Sequence, residues 1–254
     1  MTTSSPTPSR TLRFDIAYNG TNYHGWQVQE KHPPVPTIQG EIEKNLSVLL
    51  NEPCRILGAG RTDTGVHAEG QVAHYVTSST KSCEILHKGL NRRLPEDIYV
   101  KKVSEVDPGF HSRFSAKGKH YQYRLWMAPE KPVFHFPLVY WYPCKPDLEA
   151  MRTAARKLLG QHDFSSFASN ADRPNEVKTR EVWDIRIRDE YPFLYFDVKG
   201  RSFLYKMVRG LCGTLLHAGL NPALDVEKIL HAKDRTKAKR NLPACGLFLM
   251  EVYY

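Results

Sequence analysis

Alternating apolar and polar residues predict β-strands in both halves of the chain. Near the N terminus, Leu12, Phe14, Ile16 and Tyr18 alternate with Arg13, Asp15 and Ala17, which is the period of a half-buried strand. The same pattern, or a short apolar run between turn residues, predicts further strands at 55–57, 71–76, 121–125, 183–187, 194–198 and 247–253.

Apolar residues three and four positions apart predict helices between these strands. Ile38, Ile42 and Leu46 have this spacing, which places them on one face of a helix. Ser82 and Asp147 can each cap a helix by accepting a hydrogen bond from its first turn. Helices are expected over 38–50, 82–91, 147–159 and 202–217, and after Asp225. Mostly paired strands with helices between them predict an α+β fold rather than a doubly wound parallel sheet.

The composition is that of a soluble globular protein, and the charge favours a polyanionic partner. The chain has 254 residues, and its formal charge of +9 favours contacts with phosphates. No apolar run reaches the roughly 18 residues that a membrane helix needs. Residues 1–10 are polar and Pro-containing, so we expect a disordered tail rather than a secretory signal.

Cysteine and histidine patterns give little support for a metal site. The five cysteines form no CxxC pair, and the histidines form no HExxH motif. An odd number of cysteines cannot all pair within one chain, so reduced thiols in a cytoplasmic enzyme are expected.

The run GAGRTDTGVHA, residues 58–68, is the most informative stretch. Gly58 and Gly60 begin like a dinucleotide-binding GxGxxG motif, but Asp63 occupies the third glycine position and would repel a pyrophosphate. Its glycines allow sharp turns and close approach to a ligand. Asp63 has two interpretations, a turn residue or a catalytic carboxylate.

Seven ordered motifs give the chain a resemblance to the TruA-type tRNA pseudouridine synthases. The GRTDTG loop is one of them, and together they extend over residues 11–254. The other six are YNG with GWQ (18–27), TIQ (37–39), FHSRFSA (110–116), YQY (121–123), FLYKMVR (203–209) and GLFL (246–249).

The resemblance implies a pseudouridine synthase fold with two similar α+β halves, a largely antiparallel central sheet and a cleft between the halves. The halves are expected at 11–110 and 111–254, with a linking segment at 128–137. It also implies a homodimer that acts on tRNA, with target uridines at tRNA positions 38 to 40 in the anticodon stem-loop. The family's reaction uses no cofactor.

The resemblance also implies roles for five residues. Asp63 matches the nucleophile, and Tyr121 matches an aromatic residue that contacts the flipped base. Arg209 matches the arginine that pairs with the aspartate and keeps it ionised, and Arg61 matches one that contacts the RNA or helps to open the base pair. Leu247 is expected to pack on the uracil, although by its pattern alone it is a core strand residue.

Two features depart from the family pattern, namely Gly210 and the stretch 117–120, which is looser than the usual pattern before the aromatic residue. Gly210 follows Arg209 where the family usually has Asn, so the support of Arg209 is expected to differ. The basic residues of the segment 233–240, with Arg92 and Arg93, are either a phosphate-binding rim or a solvated face.

The alternative function is a non-catalytic RNA-binding protein or chaperone on the same fold. Asp63 argues against it, because a binding module has no need of a carboxylate in the groove that holds an anionic partner.

Overall fold

The computed structural model describes residues 9–30, 32–169 and 177–254. These form two compact units. The first contains the described residues up to Ala116 together with Tyr254, and the second contains the described residues of Lys117–Tyr253. The boundary expected between residues 110 and 111 lies a few residues before this division. Residues 1–8 of the expected tail lie outside the described part.

The first unit is a small antiparallel sheet with two helices. Strand β1 lies between β3 and β4 and pairs antiparallel with both, and β2 pairs with β3. Its elements are β1 (Arg10–Tyr18), α1 (Ile38–Leu50), β2 (Leu57–Gly58), β3 (His67–Thr77), α2 (Cys83–Asn91) and β4 (Ile98–Val106).

The core of the first unit follows the alternation seen in the sequence. Leu12, Phe14 and Ile16 of β1 are fully buried, as are Ile38 and Ile42 of α1. Thr37 caps α1, because its side chain accepts a hydrogen bond from the Gly40 N–H, and Ser82 caps α2 in the same manner. Both predicted helices are confirmed.

The second unit is a larger antiparallel sheet in the order β10-β5-β9-β8-β7, with β6 parallel to β5. The elements are β5 (Gly118–Trp126), β6 (Tyr140–Trp141), α3 (Leu148–Arg156), β7 (Gly160–Asp163), β8 (Thr179–Glu190), β9 (Phe193–Gly200), α4 (Met207–Leu220), α5 (Val226–Ala232) and β10 (Leu247–Tyr253). The predicted α+β class is confirmed, since antiparallel strands and helices build both units.

Two expectations for the second unit are wrong. Helix α4 begins at Met207 rather than Ser202, because Lys206 has a left-handed backbone with φ of 59°. The segment 128–137, expected to link the halves, lies inside the second unit. It is held there by the indole N–H groups of Trp126 and Trp141, which donate to the carbonyls of Glu130 and Ala128.

In the described ranges no helix has the length and apolar character to cross a membrane.

Candidate active site

The glycine-rich loop connects β2 to β3 within the first unit. Two hydrogen bonds fix its beginning. The Ala59 N–H donates to the Val72 carbonyl at 2.7 Å, and the Gln71 side-chain amide donates to the Gly60 carbonyl at 2.8 Å. These hydrogen bonds therefore hold the start of the loop against β3.

A tight turn follows Asp63. The Asp63 carbonyl accepts a hydrogen bond from the Val66 N–H at 3.1 Å, and Gly65 has φ of +75°. A positive φ at the third position is what a type II turn requires, and glycine adopts it without strain. The turn expected at Asp63 is thus present, and it is made by the backbone of that residue.

Thr62 anchors the centre of the loop. Its hydroxyl lies 2.8 Å from the Tyr18 hydroxyl, and its carbonyl accepts a hydrogen bond from the Trp26 N–H at 3.1 Å. Because both the side chain and the backbone of Thr62 are held, the positions on either side are held as well. Arg61 is exposed there, and Asp63 is half-buried.

The segment 18–27 forms the surface on which the loop rests. A methyl group on Gly25 would lie 2.5 Å from the Thr62 carbonyl oxygen, and one on Gly20 would lie 2.0 Å from the Val66 carbonyl oxygen. The Gly20 N–H donates to Nδ1 of the buried His67 at 3.1 Å. The YNG, GWQ and GRTDTG motifs are therefore parts of one packed structure.

Tyr18 is a neutral structural group in this arrangement. Burial raises its pKa to about 12, although hydrogen bonds with Thr62 and Gln71 act in the opposite direction. The phenol therefore stays protonated at neutral pH. It positions the loop and does not serve as a base.

Tyr121 and Leu247 lie on neighbouring strands of the second unit. In the register of β5 and β10, Tyr121 is opposite Leu249 and Leu247 is opposite Tyr123. Tyr121 and Leu247 are 9% and 6% exposed, and the Tyr121 ring meets Phe203 edge-on at 5.4 Å. Leu247 is thus a buried strand residue, as its sequence pattern indicates.

Arg209, in the first turns of α4, is tied to the segment before β10. Its Nε–H donates to the Leu242 carbonyl at 2.7 Å, and the Leu242 N–H donates to the Arg209 carbonyl at 3.2 Å. This paired contact fixes the stem of the arginine side chain.

Arg209 also lines a pocket of about 880 Å³ within the second unit. Tyr140 and Tyr142, stacked 5.7 Å apart, form another part of its wall. Four further cationic side chains line the same pocket, and no carboxylate is among its described lining residues. These cations are Lys206, Arg235, Lys239 and Arg240. Such a pocket suits an anionic ligand.

The basic segment 233–240 divides into two groups. Arg235, Lys239 and Arg240 line the pocket. Lys233 instead lies 3.6 Å from the Asp163 carboxylate, and Lys237 is exposed outside the lining. The sequence marked this segment by its charge. It gave no sign that Lys206 and the two stacked tyrosines belong to the same pocket.

Asn241 explains the glycine at position 210. A methyl group on Gly210 would lie 3.0 Å from Oδ1 of Asn241 and 2.8 Å from the Phe167 carbonyl oxygen. The Asn241 side chain itself donates to Ser169 Oγ at 3.0 Å and accepts from Arg235 at 3.0 Å. The space beside Gly210 is therefore already occupied by an asparagine from another segment.

Metal ligands do not cluster in the part of the chain that the structure describes. There, no group of three or more His, Cys, Asp or Glu residues could hold a metal ion. The candidate residues themselves offer a carboxylate at Asp63, a phenol at Tyr121 and the cations of the pocket.

Comparison with known proteins gives consistent matches over almost the whole chain. A family model described as tRNA pseudouridine synthase matches residues 16–115 and 154–254. A "tRNA pseudouridine synthase A" of Geobacillus kaustophilus is 43% identical over 250 residues, covering 97% of this chain and 95% of its own. The protein of that name from Acetivibrio thermocellus is 39% identical over 247 residues, covering 96% of this chain and all of its own. Among solved structures, a Cbf5-Nop10-Gar1 complex matches with a TM-score of 0.37 and 12% identity, over 81% of this chain and 44% of that one.

Proposed function

The chain belongs to the family of tRNA pseudouridine synthases, isomerases that convert uridine to pseudouridine in tRNA, and we propose that Asp63 is its catalytic nucleophile. Asp63 is the only carboxylate in the loop 58–68. The observation that supports the proposal most directly is the anchoring of Thr62, which fixes the residue next to it. A preorganised nucleophile does not have to be ordered when substrate binds.

The reaction requires a group that can attack and then leave. The N1–C1′ bond of uridine breaks, a C5–C1′ bond forms, the C5 hydrogen leaves and N1 gains a proton. A carboxylate can attack ribose C1′ and expel the uracil, or it can add to uracil C6. Both routes return the carboxylate unchanged and consume no redox equivalent.

Other residues take supporting roles in the same proposal. The base must leave its stack, at a cost of a few kcal/mol, and it needs an aromatic or apolar surface to receive it. We assign that contact to Tyr121 and Leu247, and the RNA contact to Arg61. By the family resemblance, we assign to Arg209 the role of keeping the catalytic carboxylate ionised.

The proposed substrate and assembly follow from the family resemblance. The target uridines are those at tRNA positions 38 to 40 in the anticodon stem-loop, and the enzyme is a homodimer. The charge of +9 and the cation-lined pocket of the second unit support binding of the RNA backbone.

Release of tritium from C5 of uracil tests the role of Asp63. Unmodified tRNA carrying the label is incubated with the wild-type protein, with Asp63→Asn and with Glu96→Gln, which removes an exposed carboxylate elsewhere in the first unit. We expect wild type and Glu96→Gln to release the label and Asp63→Asn to release none. The tRNA affinity of Asp63→Asn should stay within about tenfold of wild type, or about 1.4 kcal/mol. Full release by Asp63→Asn would remove this residue from the mechanism.

A further inference from the structure

An aromatic side chain projects into solvent from the FHSRFSA motif of the first unit. Phe114 is 76% exposed, and the neighbouring Arg113 is exposed as well. The Arg113 guanidinium carbon lies 5.8 Å from the centre of the Phe114 ring. The roles proposed above use no residue of this motif.

The Phe114 ring belongs to a cluster with two imidazole rings. It packs against His111 with centroids 4.3 Å apart and ring planes tilted by 34°. His111 in turn packs on the buried His74 at 4.6 Å. Although Phe114 contacts His111, it remains 76% exposed to solvent.

The backbone that carries Phe114 is held in one conformation. Nδ1 of His111 accepts hydrogen bonds from the N–H groups of Arg113 and Phe114 at 3.1 and 3.3 Å. The His111 N–H donates to Ser115 Oγ at 3.0 Å, and the Ser115 N–H donates to the His111 carbonyl at 2.9 Å. An exposed ring on a fixed turn can bind a partner at a small cost in conformational entropy.

Ser112 fastens this turn to both strands that flank the catalytic loop. It is fully buried, and its hydroxyl donates to the Leu57 carbonyl of β2 at 2.6 Å. Its N–H donates to Nδ1 of His74, in β3, at 3.2 Å. The loop with Asp63 begins after Gly58, where β2 ends. It leads into β3 at His67, the first residue of that strand. Phe114 is therefore positioned by the same two strands as the candidate nucleophile.

We propose that Phe114 and Arg113 form a stacking platform for an unpaired base of the tRNA substrate. The proposal rests on the proposed function. Aromatic rings bind single-stranded nucleotides by stacking, whatever the base, and a nearby arginine contributes cation–π and phosphate contacts. A paired base presents no free face to such a ring, so the ligand is a nucleotide of a loop or another single-stranded segment.

Binding of two RNAs to four proteins tests the platform. The RNAs are an anticodon stem-loop and a fully paired duplex of equal length. The proteins are Asp63→Asn, which we expect to bind without turnover, and the same chain carrying Phe114→Ala, Phe114→Trp or Phe134→Ala. Phe134, 98% exposed in the second unit, provides the control for loss of an exposed phenyl ring.

We expect Phe114→Ala to bind the stem-loop at least fivefold more weakly, about 1 kcal/mol, with its affinity for the duplex unchanged. Phe114→Trp should bind the stem-loop at least as well as the parent, and Phe134→Ala should match the parent with both RNAs. With 2-aminopurine in the loop, the parent should quench its fluorescence and Phe114→Ala should not.

Three results would overturn the platform. In the first, Phe114→Ala and Phe134→Ala bind the stem-loop equally well. In the second, Phe114→Ala loses affinity for stem-loop and duplex to the same degree. In the third, Phe114→Ala changes the oligomeric mass but not RNA affinity, which would make this surface a protein contact. Tritium release by Asp63→Asn would refute the nucleophile instead, and it would leave the binding comparison intact.

Discussion

At the scale of single residues, the Tyr18 hydroxyl contacts Thr62, the residue next to Asp63 in the glycine-rich loop. Tyr18→Phe leaves the buried Thr62 hydroxyl without its tyrosine partner, at a cost of about 1–2 kcal/mol in unfolding free energy. The displacement of Thr62 should pass to Asp63, so we expect kcat for tritium release to fall at least tenfold while tRNA affinity is retained. Denaturant unfolding and tritium release measure the two effects.

Tyr75→Phe is the matched control for this change. Tyr75 lies on β3 of the same unit, and its hydroxyl donates to Glu52 at 3.2 Å, away from Thr62. It should lose stability and keep kcat. Equal kcat values for the two variants would show that the Tyr18 hydroxyl does not position the loop.

Asp197 shows how a buried charge is accommodated in the second unit. The side chain is 11% exposed. Its carboxylate is within 2.9 Å of His120 Nε2 and accepts hydrogen bonds at 3.0 Å from Gln122 and Arg188. Burial alone would raise the pKa of Asp197, but these three partners outweigh it and hold the pKa well below its usual range. The carboxylate therefore stabilises the fold in its ionised form.

The pH dependence of Asp197 follows from that shift. Because the folded pKa lies below the unfolded value near 4, the contribution is complete above about pH 4 and is lost as pH falls through the folded pKa. Asp197→Asn should lower the unfolding free energy at pH 7 by about 2–3 kcal/mol and flatten its fall in acid. Asp189→Asn, an exposed carboxylate on β8, should change neither; equal acid profiles for the two variants would contradict the assignment.

At the scale of elements, the sequence predicts best where one face of the element is buried. The helix over 38–50 and the strand with Leu12, Phe14 and Ile16 agree with the structure because their apolar spacing reports directly on burial. Caps add precise ends, as at Ser82 and Asp147, whose side chains accept hydrogen bonds from the first turn of α2 and α3.

The elements that were not predicted lack such a signal. In β4, Ile98, Val100 and Val103 are buried, so the alternation slips by one residue. The slip coincides with a register shift in the pairing with β1, where Asp15 is opposite Lys102 but Ile16 is opposite Val100. Such a bulge hides the period of a strand. The start of α4 was misplaced because neither Gly nor Pro marks the left-handed residue Lys206.

Gly210 in α4 gives a prediction at this scale. In Gly210→Ala the new methyl group would press on the Phe167 carbonyl oxygen, a backbone atom that cannot move alone. We expect a loss of about 1–3 kcal/mol in unfolding free energy and a lower kcat, because the adjacent Arg209 shifts. Denaturant unfolding and tritium release provide the measurements.

Gly89→Ala in α2 is the contrasting variant. Its methyl group would meet only the end of the Leu49 side chain, which can rotate away, and alanine favours a helix by up to about 1 kcal/mol over glycine. It should be neutral or stabilising. If Gly210→Ala were equally harmless, tight packing would not be the reason for glycine at that position.

At the scale of the whole molecule, motifs predict the candidate residues, and the fold decides which surfaces they form. The resemblance singled out Asp63, Tyr121 and Arg209 because each lies within a short motif. The basic pocket could not be predicted because its walls come from three segments far apart in sequence, at 140–142, 206–220 and 235–243. The charge run at 233–240 indicated a surface for anions without separating its pocket residues from its solvated ones.

The salt dependence of tRNA binding can distinguish the cations that line the pocket from the exposed cations outside it. Lys239→Gln with Arg240→Gln removes two cations that line the pocket, whereas Lys228→Gln with Lys237→Gln removes two exposed cations outside it. Both pairs lower the net charge equally, so a general effect of charge would be the same in each. Each lost phosphate contact reduces the slope of log K against log salt by roughly 0.7–0.9. We therefore expect the pocket pair to flatten the slope by about 1.4–1.8 and the outer pair to change it much less; identical slopes would mean that the pocket does not bind the RNA backbone.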